Sequence, residues 1–145
     1  MSQQTLFTTN SLGFEGSPIR AKIIGIGGAG LSLVDGLRLD GFDAVRTVAL
    51  DIDATNLSES IASEKVSLGR RLTRGMGTGG EPSLGRKAAD EDRTLIRKQL
   101  DGVDLVFLLA GLGGGTGGGV APEVARLARE AGALVFAFCP LPFSW

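Results

Sequence analysis

Histidine is missing from this sequence altogether. Its absence removes the commonest general base and the commonest metal ligand, so any chemistry has to come from backbone amides, carboxylates and a bound ion. Cysteine is almost as scarce. Cys139 stands alone, which rules out an internal disulfide, and its place at the end of an apolar run marks a small core residue in a reducing cytoplasm. No apolar run approaches the roughly 20 residues needed to span a bilayer. The first ten residues show no basic stretch followed by an apolar one, so no secretory leader is expected. The Gly-Lys-Ser/Thr signature of a P-loop does not occur. Net charge is −1 with Lys and Arg scattered, which leaves no basic stripe for nucleic acid.

What the chain has in quantity is glycine, 23 residues in 145, and these are clustered rather than spread. Apolar content of 43% and charged content of 21% fit a soluble globular protein with one core. Residues 1–19 are polar, carry Gly13, Gly16 and Pro18, and read as a flexible tail; residues 20–145 read as the folded domain.

Within that domain, apolar runs alternate with helical periodicity. Residues 21–26 suit a strand buried on both faces, followed by a loop at 27–30 and a helix carrying Leu33, Val34 and Leu37 that closes at Gly41. Residues 45–50 form a second strand ending at Asp51 and Asp53, and 65–68 a short edge strand. Residues 69–80 read as an extended glycine-rich loop. Glu81-Pro82-Ser83 then opens one helix of four or five turns through Ala88, Ile96 and Leu100. A strand at 104–110, a glycine loop, a helix with Val120, Val124, Leu127 and Ala128 on one stripe, and a strand at 133–138 complete the chain. This order predicts an α/β fold: a Rossmann-like parallel sheet with helices on both faces, whose ligand sits beyond the carboxyl ends of the strands.

All three glycine clusters fall on connections at that edge. A helix N-terminus offers unpaired N–H groups and partial positive charge, and a phosphate reaches them only where no Cβ stands in the way. Residues 27–30 have this form, although close helix–strand packing also demands glycine there. Residues 113–119 hold six glycines around Thr116, too many for packing alone given an entropic cost of roughly 0.5–1 kcal/mol each. The run reads as a cradle for a di- or triphosphate, with the Thr116 hydroxyl facing a phosphate oxygen or a metal-bound water. Residues 75–80 read either as a surface loop or as a flap over a terminal phosphate.

These segments match a known family. Residues 22–30, 72–82 and 110–122, Lys-Ile-Ile-Gly-Ile-Gly-Gly-Ala-Gly, Leu-Thr-Arg-Gly-Met-Gly-Thr-Gly-Gly-Glu-Pro and Ala-Gly-Leu-Gly-Gly-Gly-Thr-Gly-Gly-Gly-Val-Ala-Pro, resemble the phosphate loops of FtsZ and tubulin. The resemblance implies the front part of the GTP-binding domain of a divergent bacterial FtsZ or FtsZ-like protein. That would be a cytoplasmic cell-division GTPase, at the division site, that binds GTP or GDP with Mg²⁺ and assembles head-to-tail into filaments or onto a full-length homologue. By position it assigns nucleotide contacts to Gly27, Gly28, Ala29, Gly30, Leu31 and Ser32. It adds Asp51 and Asp53 near the phosphates, Gly77, Thr78 and Gly79 at the γ-phosphate, and Gly113, Gly114, Gly115, Thr116, Gly117 and Gly118 around the α- and β-phosphates. No catalytic residue is assigned within the chain, and metal ligands stay open. The resemblance implies that the ribose- and guanine-reading residues and the water-activating acids follow Trp145.

Three departures stand out. Leu31-Ser32 replaces the family's Asn pair, Asp51-Ile52 its Asn-Thr, and Gly118 a Thr or Ser. The charge of Asp51 near a phosphate site would favour a metal ion between the two, or weaken binding. Two rival readings remain. Residues 25–30 with Asp51 satisfy the dinucleotide fingerprint of an NAD-binding domain, which the glycine run at 113–119 argues against. A non-catalytic paralogue could instead cap filaments through an apolar end at Phe138, Leu141, Phe143 and Trp145.

Overall fold

The computed structural model describes residues 6–7 and 18–140. Leu141, Phe143 and Trp145, and most of the expected tail, lie outside the described residues. Five parallel strands form the sheet. They are β2 (Ile19–Ile26), β3 (Arg46–Asp51), β4 (Glu64–Ser67), β5 (Leu105–Ala110) and β6 (Leu134–Phe138), in the order β4-β3-β2-β5-β6. A two-residue strand β1 (Leu6–Phe7) pairs antiparallel with Ile19 and Arg20, so that part of the expected tail joins the fold.

Side chains alternate across the sheet, so the three inner strands β2, β3 and β5 feed two cores. Ile24, Ile26, Val48, Leu50, Val106 and Leu108 pack on one face against α4 (Pro82–Glu91), α5 (Arg93–Leu100) and α6 (Gly115–Glu130). Ala21, Ile23, Ala49 and Leu109 pack on the other against Leu31 and Val34 of α1 (Gly27–Leu39) and Leu57 of α2 (Ala54–Glu59). The expected α/β sheet with helices on both faces is the observed one.

The boundaries differ where local chemistry overrides periodicity. The single long helix predicted from Glu81-Pro82-Ser83 through Leu100 is two helices, broken at Asp92, whose backbone (φ −105°, ψ 29°) leaves the helical region. Its carboxylate accepts the Gly69 N–H at 2.6 Å, which ties the break to the neighbouring turn. The loop expected at 69–80 holds a one-turn helix, α3 (Arg70–Thr73). The missed helix α2 buries Leu57 as its one fully enclosed residue, too little for a periodic signal.

Two glycines set how closely α1 lies on the sheet. A Cβ on Gly25 would stand 2.6 Å from both the Gly30 carbonyl oxygen and Val34 Cγ2. One on Gly30 would strike the Leu109 carbonyl. Helix α1 therefore seats its first turn against the tips of β2 and β5.

Candidate phosphate-binding site

The residues read as loops at 27–30 and 113–119 are largely helical. Helix α1 begins at Gly27, directly after β2, and α6 begins at Gly115. Neither helix has a side chain hydrogen-bonded at its N-cap or an acidic residue in its first turn. Helix α2 differs: the Asp53 carboxylate caps it, accepting the N–H groups of Thr55 at 2.8 Å and Asn56 at 3.2 Å. The heads of α1 and α6 thus keep their N–H donors unclaimed by side chains, and both open on the same cavity.

That cavity measures about 670 Å³ and lies beyond the carboxyl ends of β2, β3 and β5, within the usual range for small-molecule sites. Its lining includes Gly27, Gly28 and Ala29 from the head of α1, and Gly113, Gly114, Gly115, Thr116 and Gly117 from the head of α6. Asp51, Asp53 and Asn56 come from the β3–α2 turn, and Met76, Gly77, Thr78, Gly79 and Gly80 from the third glycine cluster. The three clusters converge. Among the described residues no Lys or Arg lines the cavity, so its favourable field for an anion arises from peptide dipoles.

Four residues assigned from the sequence do not line it. Leu31 is buried, 3% exposed, in the core under α1. The Ser32 hydroxyl donates to the Gly28 carbonyl at 3.0 Å, one turn back on its own helix. Gly30 is buried against β5, and Gly118 already donates its N–H to the Gly114 carbonyl at 3.0 Å. A helical start puts successive residues on different sides, so a run that is contiguous in sequence contributes only part of itself to the cavity.

The glycine count at 113–119 has a second origin that sequence reasoning did not recognise. A Cβ on Gly117 would strike the Gly111 carbonyl, and one on Gly119 the Pro82 carbonyl. One on Gly115 would meet the Thr78 hydroxyl and, at 2.6 Å, the Glu81 nitrogen. Three of the six glycines therefore serve backbone-to-backbone packing of α6 on α4 and the loop at 111–114. Gly114 has open space around its Cβ position, so no packing contact accounts for the missing side chain there.

Asp51, 1% exposed, does not present a free charge to the cavity. Its Oδ1 accepts the N–H groups of Ile52 at 2.7 Å and Asp53 at 3.1 Å, and its Oδ2 accepts Asn56 Nδ2 at 3.1 Å. Among the described residues no group of three His, Cys, Asp or Glu could hold a metal ion by itself. Sequence reasoning also passed over Asn56 and Pro140, which line the cavity without belonging to a motif.

Comparisons with known proteins agree with this geometry. The profile of the tubulin/FtsZ family, GTPase domain, matches residues 20–145. Cell division protein FtsZ 1 of Thermococcus kodakarensis is 44% identical over 128 residues, covering 87% of this chain and 34% of that protein. An empty FtsZ dimer from M. jannaschii superposes with a TM-score of 0.83 at 41% identity, over 86% of this chain and 36% of the other. The GTPγS-bound protofilament structure of CetZ2 from Haloferax volcanii gives 0.73 at 32% identity, over 83% of this chain and 39% of that one. The chain spans about a third of the length of these relatives. With sheet order, cavity and sequence in agreement over residues 20–145, the chain belongs to the tubulin/FtsZ family.

Proposed function

We propose that the protein binds the phosphates of GTP and GDP in the cavity between α1 and α6, as the front part of a filament-forming cell-division GTPase. The observation that carries this is the convergence of two helix heads, neither capped by a side chain, on one cavity without cationic side chains. Such a site has donors to spare and nothing of its own to satisfy them. Gly28, Ala29, Gly113 and Gly114 stand at the two helix heads to offer amides, Thr116 a hydroxyl, and Gly77, Thr78 and Gly79 the opposite wall. Mg²⁺ fits as an ion carried in on the phosphates. Asp53 Oδ1 caps α2, which leaves its Oδ2 as the carboxylate oxygen of the cavity with no hydrogen-bond partner among the described residues. The ion would neutralise phosphate charge there.

Hydrolysis is proposed to be completed by a neighbouring subunit. The cavity holds no histidine, and its two carboxylates are occupied by N–H donors at three of their four oxygens. That leaves little here to activate water. The CetZ2 structure, a GTPγS-bound protofilament, supports self-assembly; head-to-tail filaments in the cytoplasm at the division site are part of the same proposal for the parent protein. Titration with GTP, GDP, ATP and NADH tests the binding: saturable GTP and GDP binding is expected, and tighter NADH binding would restore the dinucleotide reading.

A second reading has its own observation. Leu134, Phe136 and Phe138 of β6 alternate onto one sheet face and are 61%, 49% and 54% exposed. A non-catalytic chain could use that face to cap a full-length homologue. Phosphate release and polymer mass, measured for the chain alone and mixed with a full-length FtsZ, separate the two. Stimulated turnover favours a shared site, and shortened polymers without turnover favour capping.

A further inference from the structure

Asp51 is a carboxylate at the wall of a cavity built for anions, a placement that Coulomb repulsion alone would disfavour. Its hydrogen bonds explain what it does there. Oδ1 is taken by two backbone N–H groups, and Oδ2 by the side-chain amide of Asn56. A carboxylate offers only acceptors, so Asn56 must turn Nδ2, and not its oxygen, toward Asp51. A primary amide nitrogen carries two hydrogens. One goes to Asp51; the other has no partner among the described residues. The same Nδ2 lies 3.4 Å from the position a Cβ would take on Gly28, at the head of α1, where the cavity begins.

We propose that Asp51 is a positioning residue that fixes the Asn56 amide with its nitrogen toward the cavity, making Asn56 a hydrogen-bond donor to a nucleotide phosphate. Three donors satisfy the carboxylate, and the orientation it imposes adds one donor to those of α1. A neutral amide at position 51 accepts and donates equally well, so Asn56 would be free to flip and present its oxygen to the phosphate. The inference rests on the proposal that this cavity holds nucleotide phosphates.

The test uses the full chain and GDP, with binding followed by calorimetry and the Asn56 side-chain NH₂ resonances by ¹⁵N NMR. Asn56→Ala is expected to weaken GDP binding about tenfold, the order of one hydrogen bond to a charged group. Asp51→Asn is expected to weaken it several-fold, and the double variant to be no weaker than Asn56→Ala, because the two act through one contact. GDP is expected to shift the Asn56 NH₂ pair in the unaltered protein and to shift it less in Asp51→Asn, a signature that a merely structural Asp51 would not produce. Tighter or unchanged binding by Asp51→Asn, or Asn56 resonances indifferent to GDP, overturns the inference. If Asp51→Asn does not fold, Asn56→Ala and the Asn56 resonances decide. Failure of the unaltered chain to bind GDP overturns the proposed function and this inference together, whereas binding that ignores Asn56→Ala overturns the inference alone.

Discussion

Gly27 opens α1 and Gly117 lies in the first turn of α6, yet a Cβ on Gly27 would lie 3.2 Å from the Gly117 nitrogen and 3.3 Å from Thr116 Cβ. Gly27 also has φ +72°, a conformation that a side chain would strain. The two helix heads thus lie too close together to admit a side chain at Gly27, which is how one cavity comes to face both sets of donors. Glycine here does two jobs, and the distinction between them is testable.

Gly114→Ala and Gly117→Ala are expected to behave oppositely. The Cβ of the first enters open space at an extended backbone (φ −104°), so folding stability should change by less than about 0.5 kcal/mol while nucleotide affinity falls. The Cβ of the second collides with the Gly111 carbonyl, and overpacking of this kind costs about 1–3 kcal/mol or more. Urea unfolding and nucleotide titration of both variants provide the check; a destabilised Gly114→Ala would count against the assignment of that glycine to the cavity.

Gly119→Ala probes packing remote from the cavity lining. Its Cβ would strike the Pro82 carbonyl and lie 2.7 Å from the Arg86 nitrogen, forcing α4 off α6. A loss of about 1–3 kcal/mol is expected, with a lower urea midpoint at unchanged slope. Unaltered stability would show that the two helices can separate at no cost.

Asp53→Ala removes the cap of α2. The carboxylate accepts the N–H groups of Thr55 and Asn56, and losing such a cap typically costs about 0.5–2 kcal/mol. Thermal unfolding without nucleotide isolates this contribution from any role of Asp53 toward phosphate. Asp53→Asn, which keeps an oxygen acceptor, is expected to recover most of it.

Lys22 supplies a pH signature. Its ammonium donates to the Gln99 carbonyl at 2.8 Å, and burial holds it below its usual 10.5, with Glu64 opposing and Arg46 reinforcing the shift. The unfolded chain then holds the Lys22 proton more tightly than the folded one. The folded state is penalised below the depressed value, and the penalty fades as pH rises from there to 10.5. Stability relative to Lys22→Met is therefore expected to rise with pH across that alkaline window. Denaturant titrations at stepped pH would show it, and a flat difference would refute it.

Several features were legible in the residues alone. Val48 and Leu50, Val106 and Leu108 are apolar at alternate positions within runs apolar on both sides, which is what a parallel strand covered by helices requires. Pro82 after Glu81 marked the start of α4 to the residue. What stayed hidden was decided by partners far along the chain. Asp92 breaks a helical pattern because Gly69, 23 residues earlier, needs an acceptor. Asn56 became a cavity residue because Asp51 and Gly28 happen to flank it.

The sequence by itself determined the class of fold and the edge of the sheet at which a ligand belongs, because side-chain alternation and glycine-bounded helices are local properties. Only the tertiary structure decided which glycines face the ligand and which seat α6 on α4, since Gly114 and Gly117 are the same residue until a neighbouring carbonyl is placed beside one of them. The same holds for Asp51. Its sequence position promised a stray negative charge, and three N–H groups brought together by the β3–α2 turn gave that charge its counterparts.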